Sequence, residues 1–193
     1  MMSIGNAEIV DDVGDRILAA AAGCVRDYGI DRVTLAEIAR RARVSRPTVY
    51  RRWPDTQTLL AALLTQRVTS VLDDVPRRGT DRAAIVARAV AVAARLRDDE
   101  LISAVLHSAP ELAMVYITER LGTSQQILIN ALAADIAVAQ AGGSVRPGDP
   151  SQLAAMVLLI AQSAIQSGQI VADLLPADAL AVELAHTLNG YLR

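Results

Sequence analysis

The chain has 193 residues, 52% of them hydrophobic, and 19 basic against 21 acidic side chains give a formal charge of −2. That balance excludes a disordered chain. Cys24 is the single cysteine, which excludes an intrachain disulfide and a cysteine-based zinc site.

The apolar residues are mostly Ala, Leu, Val and Ile, with no Phe. No long segment alternates apolar and polar residues, so the predicted fold is all-α, with about nine helices. The N-terminal stretch Met1 to Asp12 is acidic, lacks the pattern of a secretory signal and is expected to be a loose tail. No apolar stretch reaches membrane-spanning length without polar interruption, and the richest, Leu153 to Ile160, is too short, so a cytoplasmic protein is expected. The first predicted helix runs from about Asp15 to Tyr28. Ile17, Ala21, Cys24, Val25 and Tyr28 form its apolar face, and Gly29 provides a left-handed cap. The second helix starts at Thr34. Thr34 and Glu37 have capping-box spacing, and Leu35, Ile38, Ala39 and Ala42 form the buried stripe. Arg43-Val44-Ser45 is a short break. Ser45 then caps a third helix from Arg46 to about Trp53, with Pro47 tolerated in its first turn.

A fourth helix is predicted from Pro54-Asp55 to about Leu72, a fifth from Asp81 to Arg97 and a short sixth from Glu100 to His107. Pro110 opens a seventh, expected to reach Ala141 with a kink at Gly122. Asp149-Pro150 opens an eighth, to about Leu174, and Pro176 to Arg193 is a ninth. Between Asp31 and Trp53 seven Arg face two acids, whereas from Gln66 onward ten Arg face thirteen acids. A basic segment joined to an acidic remainder suggests one module that contacts nucleic acid, over 1–54, and a second, over 55–193, with another role.

Two short helices joined by about three residues, the second Ser-capped and rich in Arg, describe a helix-turn-helix. Ala39 and Ala42 are small where the helices cross, Val44 locks the turn and Val49 packs inward. Arg46, Thr48, Tyr50, Arg51 and Arg52 are left for DNA.

The ordered elements Ile17-Leu18, Tyr28-Gly29, Thr34, Ile38-Ala39, Val44-Ser45, Thr48-Val49-Tyr50, Trp53 and Leu59-Leu60 make the segment from Arg16 to Leu60 resemble the N-terminal domain of the tetracycline-repressor (TetR) family. The resemblance implies that Arg46, Pro47, Tyr50 and Arg51 approach base edges, and that Thr34, Thr48, Tyr50 and Arg52 grip phosphates. Two positions depart from the family pattern. Thr56 stands where a Lys is usual, and Arg43 stands in a turn that often has Gly. Thr56 still offers a hydroxyl and an amide at a helix N-terminus, and Arg43 offers a charge to replace the missing Lys.

A DNA-binding module of this kind meets two half-sites, so a homodimer on double-stranded operator DNA is expected. The interface candidates are Val157, Ile160, Ala164, Gly168 and Val171 on the eighth helix, and Leu180, Leu184, Leu188 and Tyr191 on the ninth. The alternative is that these stripes face the core of their own chain. The resemblance further implies a repressor released from a palindromic operator when a small molecule binds in the C-terminal domain. His107, Met114, Tyr116, Met156, Gln162, Ser163 and Gln166 are the pocket candidates, and the scarcity of aromatics favours an apolar, aliphatic ligand. The alternative function is a DNA-binding regulatory or architectural protein without ligand control.

An enzyme is not expected. The two histidines are far apart, and Glu183 and His186 have Glu-x-x-His spacing without the second such pair that a di-iron site needs. No metal or cofactor is expected, and Cys24 is read as core.

Overall fold

The computed structural model describes residues 5–108 and 121–193, with side chains over 13–105 and 121–193. The chain is all-α. The helices are α1 Gly5–Tyr28, α2 Leu35–Ala42, α3 Arg46–Arg52, α4 Thr56–Asp74, α5 Arg82–Arg97, α6 Glu100–Ser108, α7 Thr123–Ala141, α8 Pro150–Ser167 and α9 Ala177–Tyr191, nine among the described residues. Short 3-10 turns lie at Ile30–Arg32 and Gly168–Val171. The chain divides into two compact units. One holds residues up to 66 with 100–108; the other holds 67–99 with 121–193.

In the first unit α1 begins at Gly5, well before the expected Asp15. Ile17, Ala21 and Cys24 are fully buried, together with Ile38 of α2, Val49 of α3 and Leu59 of α4, and Val105 of α6 joins this core. Tyr28 departs from the expected apolar face and is 47% exposed. Gly29 has φ 78° as its position requires, but ψ 159° places it outside the left-handed helical region, in backbone space that is essentially glycine's alone.

The second unit packs α5, α7, α8 and α9 around Ile136, Ala154, Val157, Leu188 and Leu192. The α5 and α8 helices start where the sequence supplies a side-chain cap. Asp81 accepts from Ala84 N at 2.8 Å, and Asp149 accepts from Ser151 N and Gln152 N at 2.8 and 3.0 Å ahead of Pro150. The expected kink at Gly122 is instead a break. Gly122 is extended (φ −77°, ψ 164°) and α7 starts at Thr123. The N-terminal part of that predicted helix, Pro110 to Arg120, lies outside the described residues. The eighth helix stops at Ser167, short of Leu174, and tightens into the 3-10 turn. Gly168 sits there because a Cβ would meet Leu180 Cδ2 at 2.9 Å. Arg146 fastens the α7–α8 loop to the end of α9. Its Nε donates to Tyr191 O at 2.8 Å, its amide donates to Leu192 O at 3.0 Å, and its guanidinium lies 4.8 Å from the Tyr191 ring centroid.

Pro150–Val171 extends the apolar stretch seen in the sequence, and is long and apolar enough by length and composition alone to cross a membrane. Gln152, Gln162, Gln166 and Gln169 interrupt it. Leu153, Ala154, Val157 and Ala161 turn into the core, while Met156 and Leu159 face outward.

Burial raises the Cys24 thiol above its ordinary pKa against the lowering effect of Arg41, so the thiolate is disfavoured in the fold. Cys24 is therefore expected to resist a thiol-reactive disulfide reagent in the native protein and to react stoichiometrically in denaturant; rapid labelling of the native chain would show that α1 opens readily.

Candidate functional site

The N-terminal site is built from two caps and one turn. Thr34 caps α2, its Oγ1 accepting from Glu37 N at 3.2 Å. The return arm of the expected capping box is replaced by an ion pair. The Glu37 carboxylate accepts from Arg40 Nε and Nη2 at 2.9 and 2.5 Å, and that bond from Arg40 is the chief cause holding its pKa below the usual carboxylate value. The α2–α3 turn passes through Arg43 in the left-handed conformation, φ 54° and ψ 45°. Its amide reaches Arg40 O at 3.2 Å, and the Val44 amide reaches Ala39 O at 3.0 Å, closing the end of α2. Arg43 is the one non-glycine residue at positive φ among the described residues, in the turn where the sequence departs from glycine.

Ser45 caps α3. Its Oγ accepts from Thr48 N at 3.3 Å and lies 2.7 Å from Thr48 Oγ1. Val49 is fully buried, which fixes the rotation of α3 and leaves Arg46, Pro47, Tyr50 and Arg51 exposed on one side. Thr34 and Arg43 are also exposed, and Thr48 is half-buried. Two further candidates sit differently. Arg52 is half-buried and folds back onto α1, where a Cβ on Gly14 would lie 2.3 Å from its Nη1. Thr56 begins α4, but Asp55 already occupies that N-terminus, its Oδ1 accepting from Thr58 N at 2.6 Å. The Thr58 amide, then the Thr58 hydroxyl, lower the Asp55 pKa. A carboxylate therefore stands where the sequence reading offered Thr56 to a phosphate, and Asp55 is the residue that reading missed. The signal was the Asp-x-x-Thr spacing ahead of the apolar run.

The second unit holds an apolar cavity of about 70 Å³ between the end of α4, α5, α7 and α8, its wall including Leu72, Val92, Leu132, Val157, Leu158 and Ile165. Arg88 and Asp135 are its charged wall residues among those described. None of the sequence-derived pocket candidates with a described side chain lines it. Met156 and Ser163 point outward from α8, Gln166 is half-buried elsewhere, and Gln162 Oε1 accepts from Gln125 Nε2 at 2.9 Å. The phase of α8 explains the difference, since Val157 and Ala161 take the inner face and turn Met156 away. The His107 side chain, Met114 and Tyr116 lie outside the described residues.

The interface candidates also divide. Val157, Leu184 and Leu188 are buried in their own chain, at 2%, 7% and 0% exposure, so they have no surface to give a partner. Gly168 is buried under Leu180. Ile160, Ala164, Leu180 and Tyr191 are half-buried, and Val171 is exposed. The outward apolar side chains are instead Met156, Leu159, Ile170, Leu174 and Val182, Leu174 reaching 88% exposure. A stripe read from sequence gives the helical period, but it does not say which of two apolar faces the chain covers itself.

Comparison with known proteins places these features. The model of bacterial regulatory proteins of the tetR family matches residues 17–63. An HTH-type transcriptional regulator of Mycobacterium tuberculosis strain H37Rv is 64% identical over 192 residues, covering 100% of both chains. The transcriptional repressor QsdR of R. erythropolis has the same fold, with a TM-score of 0.71 at 17% identity over 95% of this chain and 97% of that one. The structure of RolR in complex with resorcinol also has a TM-score of 0.71, at 20% identity over 97% of this chain and 90% of that one.

A left-handed backbone costs an L-residue about 1–2 kcal/mol, and glycine avoids that cost while losing more entropy on folding. Arg43→Gly is therefore expected to raise the urea midpoint, by up to about 1 kcal/mol of stability. A midpoint that falls would mean that the Arg43 side chain makes contacts worth more than the strain of its backbone.

Proposed function

The chain belongs to the tetR family of bacterial regulatory proteins, helix-turn-helix transcriptional regulators, and from that premise we propose that it is a cytoplasmic, dimeric repressor released from a palindromic operator by a small apolar ligand. The observation that carries this reading is the exposed side of α3. Arg46, Pro47, Tyr50 and Arg51 stand free of the core while Val49 beneath them is fully buried. In the major groove Arg46 and Arg51 offer forked donors suited to guanine O6 and N7, and the Pro47 ring offers an apolar surface to a thymine methyl. Thr34, Thr48 and the Tyr50 hydroxyl are the proposed phosphate contacts, of the kind that set register. Arg43, exposed in the turn, brings a charge to the backbone, while Arg52, folded toward Gly14, supports α1 and α3.

The dimer reading moves to the outward face of α8, α9 and the turn between them, where Met156, Leu159, Ile170, Leu174 and Val182 leave apolar surface in water. Exposed large apolar side chains grouped on neighbouring elements suit association, and a second copy brings two recognition helices to two half-sites. The ligand reading rests on the cavity, whose wall is apolar but for Arg88 and Asp135. RolR, which shares this fold, is solved in complex with the ligand resorcinol, which supports binding of a small molecule by such a chain. Release requires that the ligand bind the DNA-incompetent state more tightly than the competent one.

In gel shifts on an operator selected from genomic fragments, Tyr50→Ala and Arg46→Ala are each expected to weaken binding about tenfold, the size of one lost hydrogen bond to a charged partner or one base contact, with fold and mass unchanged. Unaltered affinity in both would remove α3 from the role of recognition helix. Leu159→Glu is expected to convert the dimer to a monomer by light scattering at micromolar concentration and to weaken operator binding with it; a Leu159→Glu dimer would move the interface off this face.

A further inference from the structure

We propose that the cavity of the second unit is an acid site, in which Arg88 receives the carboxylate of a short aliphatic monocarboxylic acid whose tail fills the apolar remainder. This deepens the proposed ligand control and rests on it.

The charge arrangement carries the assignment. Arg88 stands on α5 with a side chain 12% exposed. Its Nε donates to Val75 O and its Nη2 to Leu72 O, both at 3.0 Å, and its Nη1 donates to Asp135 Oδ2 at 3.0 Å. Those bonds leave an N–H uncommitted on each terminal nitrogen. Asp135, on α7, is shared: its other oxygen accepts from Arg77 Nε at 2.8 Å. Two guanidiniums thus divide one carboxylate, so Arg88 at the wall shares its counter-ion with Arg77, which lies outside the wall and is 56% exposed. Arg88 and Asp135 are the charged groups among the wall residues described.

Arg88 is largely out of water and has only a share of one carboxylate, so a second anion at its uncommitted donors is favoured. A carboxylate entering this cavity supplies that anion with a planar pair of acceptors that suits guanidinium. An ammonium group would bring a further positive charge beside two guanidiniums that already share Asp135. A neutral alcohol gains a hydrogen bond but brings no negative charge. The size of the site sets the tail. About 70 Å³ is roughly half of an apolar cavity of about 150 Å³ that takes benzene, so this cavity, open on one side, encloses part of a slender aliphatic tail and not a ring system.

The test compares pentanoate, 1-pentanol and pentylamine by calorimetry on the full chain at neutral pH. Pentanoate is expected to bind at least about tenfold more tightly than 1-pentanol, the size of one hydrogen bond to a charged group, and pentylamine is expected not to bind. Arg88→Met is expected to abolish the preference for the acid. Because that change also removes the donors to Leu72 O and Val75 O, Asp135→Asn is the second variant. It keeps Arg88 and removes the competing carboxylate, so the acid-over-alcohol ratio is expected to rise several-fold, whereas a purely structural role would weaken both ligands alike. Equal binding of pentanol and pentanoate to the wild-type chain would overturn the acid assignment and leave the apolar-ligand reading standing. Binding of none of the three would overturn both. A preference for pentanoate that survives Arg88→Met, or that Asp135→Asn fails to strengthen, would place the carboxylate away from Arg88 and overturn the proposal.

Discussion

A seven-residue helix does not hold itself together in water, because nucleation costs more than so few hydrogen bonds return. The α3 helix exists because Val49 is driven into the core of α1, α2 and α4, and because Ser45 and the left-handed turn at Arg43 fix its first residue. That burial sets the phase of α3, and the phase alone decides that Arg46, Pro47, Tyr50 and Arg51 stand outside. The same constraint requires small residues beneath it. Ala39 and Ala42 let α2 approach, and the Arg52 guanidinium lies against Gly14 of α1.

The second dependence runs through α4. This helix belongs to the first unit up to Gln66 and to the second from Arg67 onward. Its beginning is capped by Asp55 and its end is held by Arg88, which donates to Leu72 O and to Val75 O just beyond it. A cation at a helix C-terminus meets carbonyls without intrahelical partners and the negative end of the dipole. Asp99, its side chain 3% exposed, pairs with Arg67 and adds a second anchor along the same helix.

Most of the local architecture was legible in the sequence because caps are local chemistry. Thr34, Ser45, Asp81 and Asp149 each announced a helix start that the structure bears out. The core of the first unit was legible for the same reason, since Ile17, Ala21, Cys24, Ile38 and Val49 keep helical period and lie on the inner face. What failed to show were choices made by tertiary contact. Glu37 turned to Arg40 rather than back to Thr34, because a guanidinium one turn on is a stronger partner than an amide. Leu184 and Leu188 had the spacing of an outer stripe as well as of an inner one, and only the packing of α5 and α8 against α9 decided which. The cavity escaped because polar residues in apolar helices were taken to mark it, whereas its wall is apolar apart from an ion pair formed across 47 residues of sequence.

That ion pair is not by itself evidence of added stability. Burying two charges costs solvation that their attraction and hydrogen bonds recover only in good geometry, and an apolar wall of the same volume would hold a core at least as well. What an apolar wall could not do is bind carbonyl oxygens at the end of α4 and a carboxylate on α7 with one side chain while facing an empty space. One side chain, Arg88, therefore both holds the end of α4 and lines the cavity.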